Sequence, residues 1–351
     1  MSKQLRIAQV APLWVPVPPR TYGGIELMLS LLTEELVARG HKVTLFASGD
    51  SKTKAELVAP TSTGLWLRKV RSPHAVIEVL LKEVHNRRHD FDLIHNHADF
   101  FMFPLAMMDD GTPILTTLHR PIDDAEAQAI KAYPNKYFCA ISEDQKRSAE
   151  EKGIKISGVV YNGIDVPRYK FSNWPDDYFM YLGRLNDEKG VVDAIEVAKR
   201  AKVPLVVAGN IVGGDEWNYF FHKVQPELNS EYIRFVGQVD FNEKVRLLKD
   251  ARALLFPIHR REPFGLVMIE AMACGTPVIG YNKGSVPEVV KDGETGFVIN
   301  SKEEMIEAIL YKVQKIKRSA CREHVEKNFT IQKMVDTYEE VYEKVIFEWK
   351  S

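Results

Sequence analysis

The feature that most constrains this chain is an alternation of short β-branched runs with helix-period stretches, completed twice. The first pass reads RIAQVAP (6–12), KVTLFAS (42–48), FDLIHNH (91–97), PILTTLH (113–119), YFCAIS (137–142) and ISGVVYN (156–162). Between the first two runs Ile25, Met28, Leu29, Leu32 and Leu36 recur at helical spacing, and Gly40 supplies a left-handed stop. The second pass reads YFMYLGR (178–184), PLVVAG (204–209), YIRFVG (232–237), ALLFP (253–257), TPVIG (276–280) and GFVIN (296–300). Strands alternating with helices imply parallel sheets wrapped on both faces. At 351 residues the chain exceeds a single core. The expected fold is therefore α/β, two Rossmann-like doubly wound parallel-sheet domains facing across a cleft. Their expected bounds are 1–165 and 175–330, with the unpatterned GIDVPRYKFSNWPDD (163–177) between them and the helical tail 331–351 packing back on the first.

Composition removes several function classes. A net charge of -1 provides no field for nucleic acid or anionic lipid. No run of about 18 apolar residues is present, and MSKQLRIAQV lacks the apolar stretch and cleavage site of a signal peptide. Three isolated cysteines, Cys139, Cys274 and Cys321, fit a reducing compartment. A cytoplasmic location is expected.

Ligands of doubly wound sheets bind at the carboxyl ends of the strands, so the loops there carry the candidate residues. After the first strand, Gly23 and Gly24 precede a helix, where backbone can approach an anion or simply make a tight turn. No G-x-G-x-x-G follows any strand, which disfavours a nicotinamide dinucleotide. Arg184 falls just past a strand and Lys189 at the start of a helix, a placement that makes sense beside an anion. The alternative is that Asp187 and Glu188 neutralise Lys189. In EPFGLVMIE, Glu262 lies in a loop and Glu270 about one and a half turns into a helix that begins at Gly265 or Leu266. Amides of Phe264, Gly265 and Leu266 form an anion site between two carboxylates suited to hydroxyl donors. The plainer reading pairs Glu270 with Arg260 or Arg261. His95, His97 and His119 are geometrically able to share a metal, but no partner carboxylate stands at ligand spacing. DFD (90–92) leads into a strand at its amino end and reads as structural.

The set YGGIE, TLH (117–119), NGID (162–165), GRLNDEKG (183–190), FVGQVD (235–240), EPFGLVMIEAMACGTPVI (262–279) and GSVPEVVKDGETGFV (284–298) resembles the family-4 retaining glycosyltransferases, which have the GT-B fold. The resemblance spans nearly the whole chain. It implies that the Gly23-Gly24 turn, through Gly24, meets a donor diphosphate, which Arg184 and Lys189 clamp as the leaving group. It gives Glu262 the hydroxyls of the transferred sugar, faced by the amides of Phe264, Gly265 and Leu266. Glu270 takes the ribose, the backbone around Val239 meets the base, and His119 stands beside the reacting carbon. Many relatives follow this histidine with Asp, where Arg120 stands here, so the contacts at the donor's 6-position stay open. The basic stretch 66–89 admits peripheral membrane docking, although an ordinary charged helix face is the favoured reading. The implied activity moves a hexose from a UDP- or GDP-linked sugar to an unidentified sugar, lipid or small-molecule acceptor, with no metal and no cofactor. A nucleotide-sugar epimerase or hydrolase of the same fold, and a non-catalytic two-domain sugar-binding protein, are the alternatives.

Overall fold

The computed structural model describes residues 4–21, 23–68, 72–98, 111–132 and 137–351. The chain divides into two compact units, Met1–Gly163 with Ile331–Ser351, and Ile164–Thr330. Tyr22 of the YGGIE motif and residues 69–71 of the basic stretch lie outside the described residues.

Among its described residues the first unit holds seven parallel strands: β1 (Arg6–Val10), β2 (Lys42–Phe46), β3 (Glu56–Val58), β4 (Leu93–Asn96), β5 (Ile114–Thr117), β6 (Tyr137–Ala140) and β7 (Gly158–Val159). They lie in the order β3-β2-β1-β4-β5-β6-β7. The β1, β2 and β4 runs are buried almost without a break because helices cover both faces of the sheet. On one face Met28, Leu32 and Leu36 from the helix Gly24–Ala38 pack with Leu93, Leu115 and the tail helix Ile331–Lys350. On the other, Leu80 and Val84 from the helix Pro73–Arg87 meet Val10, Phe46 and Ile94.

The second unit holds six more: β8 (Phe179–Leu182), β9 (Leu205–Ala208), β10 (Ile233–Gly237), β11 (Leu254–Phe256), β12 (Val278–Tyr281) and β13 (Gly296–Ile299). Their order is β10-β9-β8-β11-β12-β13, again all parallel. Each sheet therefore reverses its winding once, between β1 and β4 and between β8 and β11. At such a reversal the loops leaving neighbouring strands diverge and open a crevice beyond the carboxyl ends.

Two expectations need correction, and one strand was not expected. The segment 163–177 is not a free linker, because the second unit begins at Ile164 and includes a 3-10 turn at Val166–Arg168 and the buried Tyr169. The edge strand β3 went unanticipated, since three residues are too few to show alternation. In the helix Gly24–Ala38, Ile25 is only half-buried, and the side chain turned fully inward beside it is Glu26. Of the basic stretch, Ile77, Leu80 and Val84 face the core, while Trp66 and Leu67 are exposed.

Candidate functional site

In the second unit, β8 delivers Gly183 and Arg184 to the winding reversal, where the Tyr181 hydroxyl donates to the Arg184 carbonyl at 2.8 Å. The Arg184 guanidinium pairs with Glu216 from the helix Gly214–Tyr219. Glu216 also accepts from Asn186 Nδ2 at 2.9 Å and from the Val212 amide at 2.5 Å, so its position is fixed independently of the arginine. Arg184 Nε is buried without a hydrogen-bond partner among the described residues.

Lys189 ends a 3-10 turn, Asp187–Lys189, capped by Asn186 Oδ1 accepting from its amide at 3.1 Å; the helix proper runs Val191–Ala201. Gly190 joins the two at φ 70°, and a Cβ there would lie 1.9 Å from the Pro257 carbonyl oxygen. Only glycine lets this turn pass against the end of β11. Lys189 Nζ is paired with the Glu262 carboxylate, not with Asp187 or Glu188, and Glu188 takes Arg260 at 2.7 Å.

Glu262 lies in the loop after β11, ahead of the helix Leu266–Ala273. That helix starts on Gly265, at φ 79°, with no side-chain cap and no acid in its first turn. Its positive end is thus open to an anion supplied from outside. Ser285 holds the approach to it, donating from its amide to the Glu262 carbonyl at 2.9 Å and from its hydroxyl to the Phe264 carbonyl at 2.8 Å. Glu270 is buried inside the helix, and its partners are Lys244 Nζ at 2.5 Å and the Tyr169 hydroxyl at 2.8 Å. Desolvation, then the Glu270 charge, pushes the Tyr169 phenol far above its ordinary range and keeps it a donor. Lys244 belongs to the helix Phe241–Asp250, which follows Val239 directly and is capped by Asp240.

The two glutamates therefore each hold a lysine, on either side of an uncapped helix start. A buried carboxylate stays charged at tolerable cost only with such a partner. The sequence singled out Arg184, Lys189, Glu262 and Glu270 as candidates, but not the side chains Glu216, Lys244 and Tyr169 that the structure places against them. The partners stand 32, 26 and 101 positions away, and no local pattern marks them.

In the first unit, Gly23 and Gly24 open the helix Gly24–Ala38, again without a side-chain cap. Glu26 is buried in its first turn, where desolvation pushes its carboxyl up to about 7. His97 follows β4 and His119 follows β5 by two residues; their rings stack with centroids 5.2 Å apart. Part of His119 stays open to solvent, yet its ring lies deep enough that desolvation pushes it down to about 3. Arg120 pairs with Glu126, and its carbonyl accepts from Gln145 Nε2 at 3.1 Å. Both ring nitrogens of His95, and both of His97, hydrogen-bond to neighbouring side chains. Among the described residues no cluster of three His, Cys, Asp or Glu could hold a metal ion. Asp92 of DFD accepts from the Arg6 amide at 2.8 Å and pairs with its guanidinium at 2.9 Å, at the amino end of β1. Among the described residues, no helix is long and apolar enough to cross a membrane.

Comparison with known proteins shows the family and the fold. Residues 22–168 match the model described as Glycosyltransferase Family 4, and residues 169–328 the model described as Glycosyl transferases group 1. A glycogen synthase of Mycobacterium tuberculosis is 27% identical over 333 residues, 80% of this chain and 79% of that protein. Sucrose-phosphate synthase from Thermosynechococcus elongatus superposes with a TM-score of 0.81 at 20% identity, covering 99% of this chain and all of that one (100%). An Anabaena protein solved in complex with UDP-glucose gives a TM-score of 0.75 at 18% identity, covering 97% of this chain and 99% of that one. At those identities the two structures speak for the GT-B fold alone.

Proposed function

The chain belongs to the family-4 glycosyltransferases, and on that premise we propose that it transfers a hexose from a nucleoside-diphosphate sugar to an acceptor hydroxyl, with retention and without a metal. The observation that carries the reading is the Lys189–Glu262 pair at the open start of the helix Leu266–Ala273. A single ligand that is anionic at one end and rich in hydroxyls at the other would satisfy both members and the helix amides at once. UDP-glucose, the ligand solved with the Anabaena protein of the same fold, is one molecule of that chemistry.

In the proposed reaction the bond from the sugar's anomeric carbon to the diphosphate oxygen breaks, and the carbon gains positive character. The diphosphate gains negative charge as it leaves. Arg184, Lys189 and the amides of Phe264, Gly265 and Leu266 at the helix start are cationic or donor groups brought to one end of the sheet, where they stabilise that charge. The two side-chain cations act in place of a divalent ion. Glu262 accepts from hydroxyls of the sugar, and Glu270 from the ribose, with Val239 backbone at the base. In the first unit the reading gives Gly23-Gly24 backbone the diphosphate and His119 the transferred sugar.

A thermal-shift panel of UDP, GDP and ADP, with their sugars, tests the donor. The matching nucleotide at 100 times its Kd should add about 2.7 kcal/mol of stability. Arg184→Ala and Lys189→Ala should each cost about 2.7–4 kcal/mol in transfer, and EDTA should leave transfer intact. Wild-type rates in both alanine variants would refute the clamp, and loss with EDTA restored by manganese would refute metal independence.

A further inference from the structure

Gln9 is an amide on the central strand β1, fully buried on the sheet face that Ile7 and Tyr342 share. A primary amide in such a core is costly unless its donors and acceptor are all engaged. Its Oε1 lies 2.9 Å from His97 Nε2, and its Nε2 donates to the Tyr342 hydroxyl at 3.3 Å. His97 Nδ1 in turn lies 2.9 Å from His119 Nε2. On the other arm, Tyr342 lies 2.7 Å from His95 Nδ1, and His95 Nε2 lies 2.7 Å from Thr117 Oγ1.

We infer that Gln9, acting through His97, fixes His119 as the Nε2–H tautomer and so presents its Nδ1 as a hydrogen-bond acceptor. A carbonyl oxygen only accepts, so His97 Nε2 must carry the proton facing Gln9. Burial disfavours a charged ring at His97, which leaves its Nδ1 bare. A bare nitrogen accepts, so the proton between the two rings belongs to His119 Nε2. His119 is itself neutral, and its remaining lone pair is therefore on Nδ1. The same rule runs the other way: Tyr342 accepts from Gln9 and donates to His95 Nδ1, which makes His95 an Nε2–H ring donating to Thr117.

The network thus admits two self-consistent states, all three rings Nε2–H or, with the amide turned over, all three Nδ1–H. The observed orientation of Gln9 selects the first. Gln9 and His97 are positioning residues, and their effect on transfer rests on the reading above that His119 contacts the sugar. There an Nδ1 acceptor receives a hydroxyl, which the other tautomer would repel with its own N–H.

Histidine labelled with nitrogen-15 in the full chain reports by long-range correlation which ring nitrogen carries each proton. The wild type should show His95, His97 and His119 all as Nε2–H. An Nδ1–H form of His119 there, or a mixed pattern among the three, overturns the inference without any variant. Gln9→Leu and His97→Leu should convert His119 to a tautomer mixture and lower kcat by roughly 10- to 100-fold, the usual worth of groups that orient a histidine from behind, with donor KM within about threefold. His97→Asn places an amide oxygen near the former Nδ1 and should restore both the Nε2–H form and most of the turnover. An unmoved His119 tautomer in both leucine variants also overturns the inference. A tautomer that shifts while turnover does not upholds the network and refutes the role of His119 in transfer.

Discussion

The first unit should be destabilised by mild acid, and Glu26→Gln should make that sensitivity steeper. Burial holds His95 and His97 well below the ordinary histidine value of 6.5, and His119 at about 3. The unfolded chain therefore binds protons on these three rings as pH falls through 6.5, whereas the native unit does not. Stability from a lowered histidine is present above its unfolded value and drains away below it. Glu26 works in the opposite sense: raised from 4.5 to about 7, it is protonated in the native unit but ionised in the unfolded chain across that window. Near pH 5.5 the unfolded chain thus binds about three protons more on the rings and the native unit about one more on Glu26, a difference of about two. At about 1.4 kcal/mol per proton and pH unit, stability should fall by nearly 3 kcal/mol per unit between roughly pH 6 and 5. Glu56 and Asp124, both held low by cations, release their share only below their own ordinary values of 4.5 and 3.8. Glu26→Gln imitates the protonated carboxyl and removes the opposing proton, so the slope should rise to about 4 kcal/mol per unit. Hydrogen exchange of the β1 and β4 amides, corrected for intrinsic rates at each pH, reads this free energy within the unit itself. A flat profile in the wild type, or an unchanged slope in the variant, would show that these groups titrate normally and that the reasoning is wrong.

Two further outcomes concern the second unit. Lys244→Met should leave Glu270 without its cation and cost about 3–5 kcal/mol by urea unfolding, most of it recovered by adding Glu270→Gln, while the double variant loses bare nucleotide by calorimetry; a single variant within about 1 kcal/mol of the wild type would mean that the pair is solvated. Gly190→Ala should cost more than about 1 kcal/mol, because its Cβ meets the Pro257 carbonyl and its φ is positive, and it should lower kcat by displacing Lys189; normal stability with normal turnover would show that the turn relaxes freely.

Much of the architecture was legible because its signals are local. Among the described residues, twelve of the thirteen strands coincide with apolar runs bounded by turns or helical stripes, and only the three-residue edge strand β3 escaped. The stop at Gly40 and the helix start at Gly265–Leu266 are set by residues within one turn of where they act. That Arg184, Lys189, Glu262 and Glu270 gather at one end of the second sheet was legible for a related reason: each follows β8 or β11, and in a parallel sheet every strand's carboxyl end lies on the same side.

What the sequence determined by itself is thus periodicity, punctuation and the placing of charge at strand ends, all consequences of backbone geometry over a few residues. It did not determine who pairs with whom. Lys189 was equally free, on sequence grounds, to meet Asp187 or Glu188 beside it, yet the turn at Gly190 sends it to Glu262, 73 positions on. Gln9 and His97 are 88 apart and meet because β4 lies beside β1, an adjacency fixed by sheet order and not by any nearby residue. Glu26 sits where the helical stripe Ile25, Met28, Leu29, Leu32 and Leu36 gives no sign of burial, yet it is buried beside the turn at Gly23. Hydrogen bonds and ion pairs act over a few ångströms in space without regard to separation along the chain, so the tertiary fold alone decided the protonation and pairing of the candidate site.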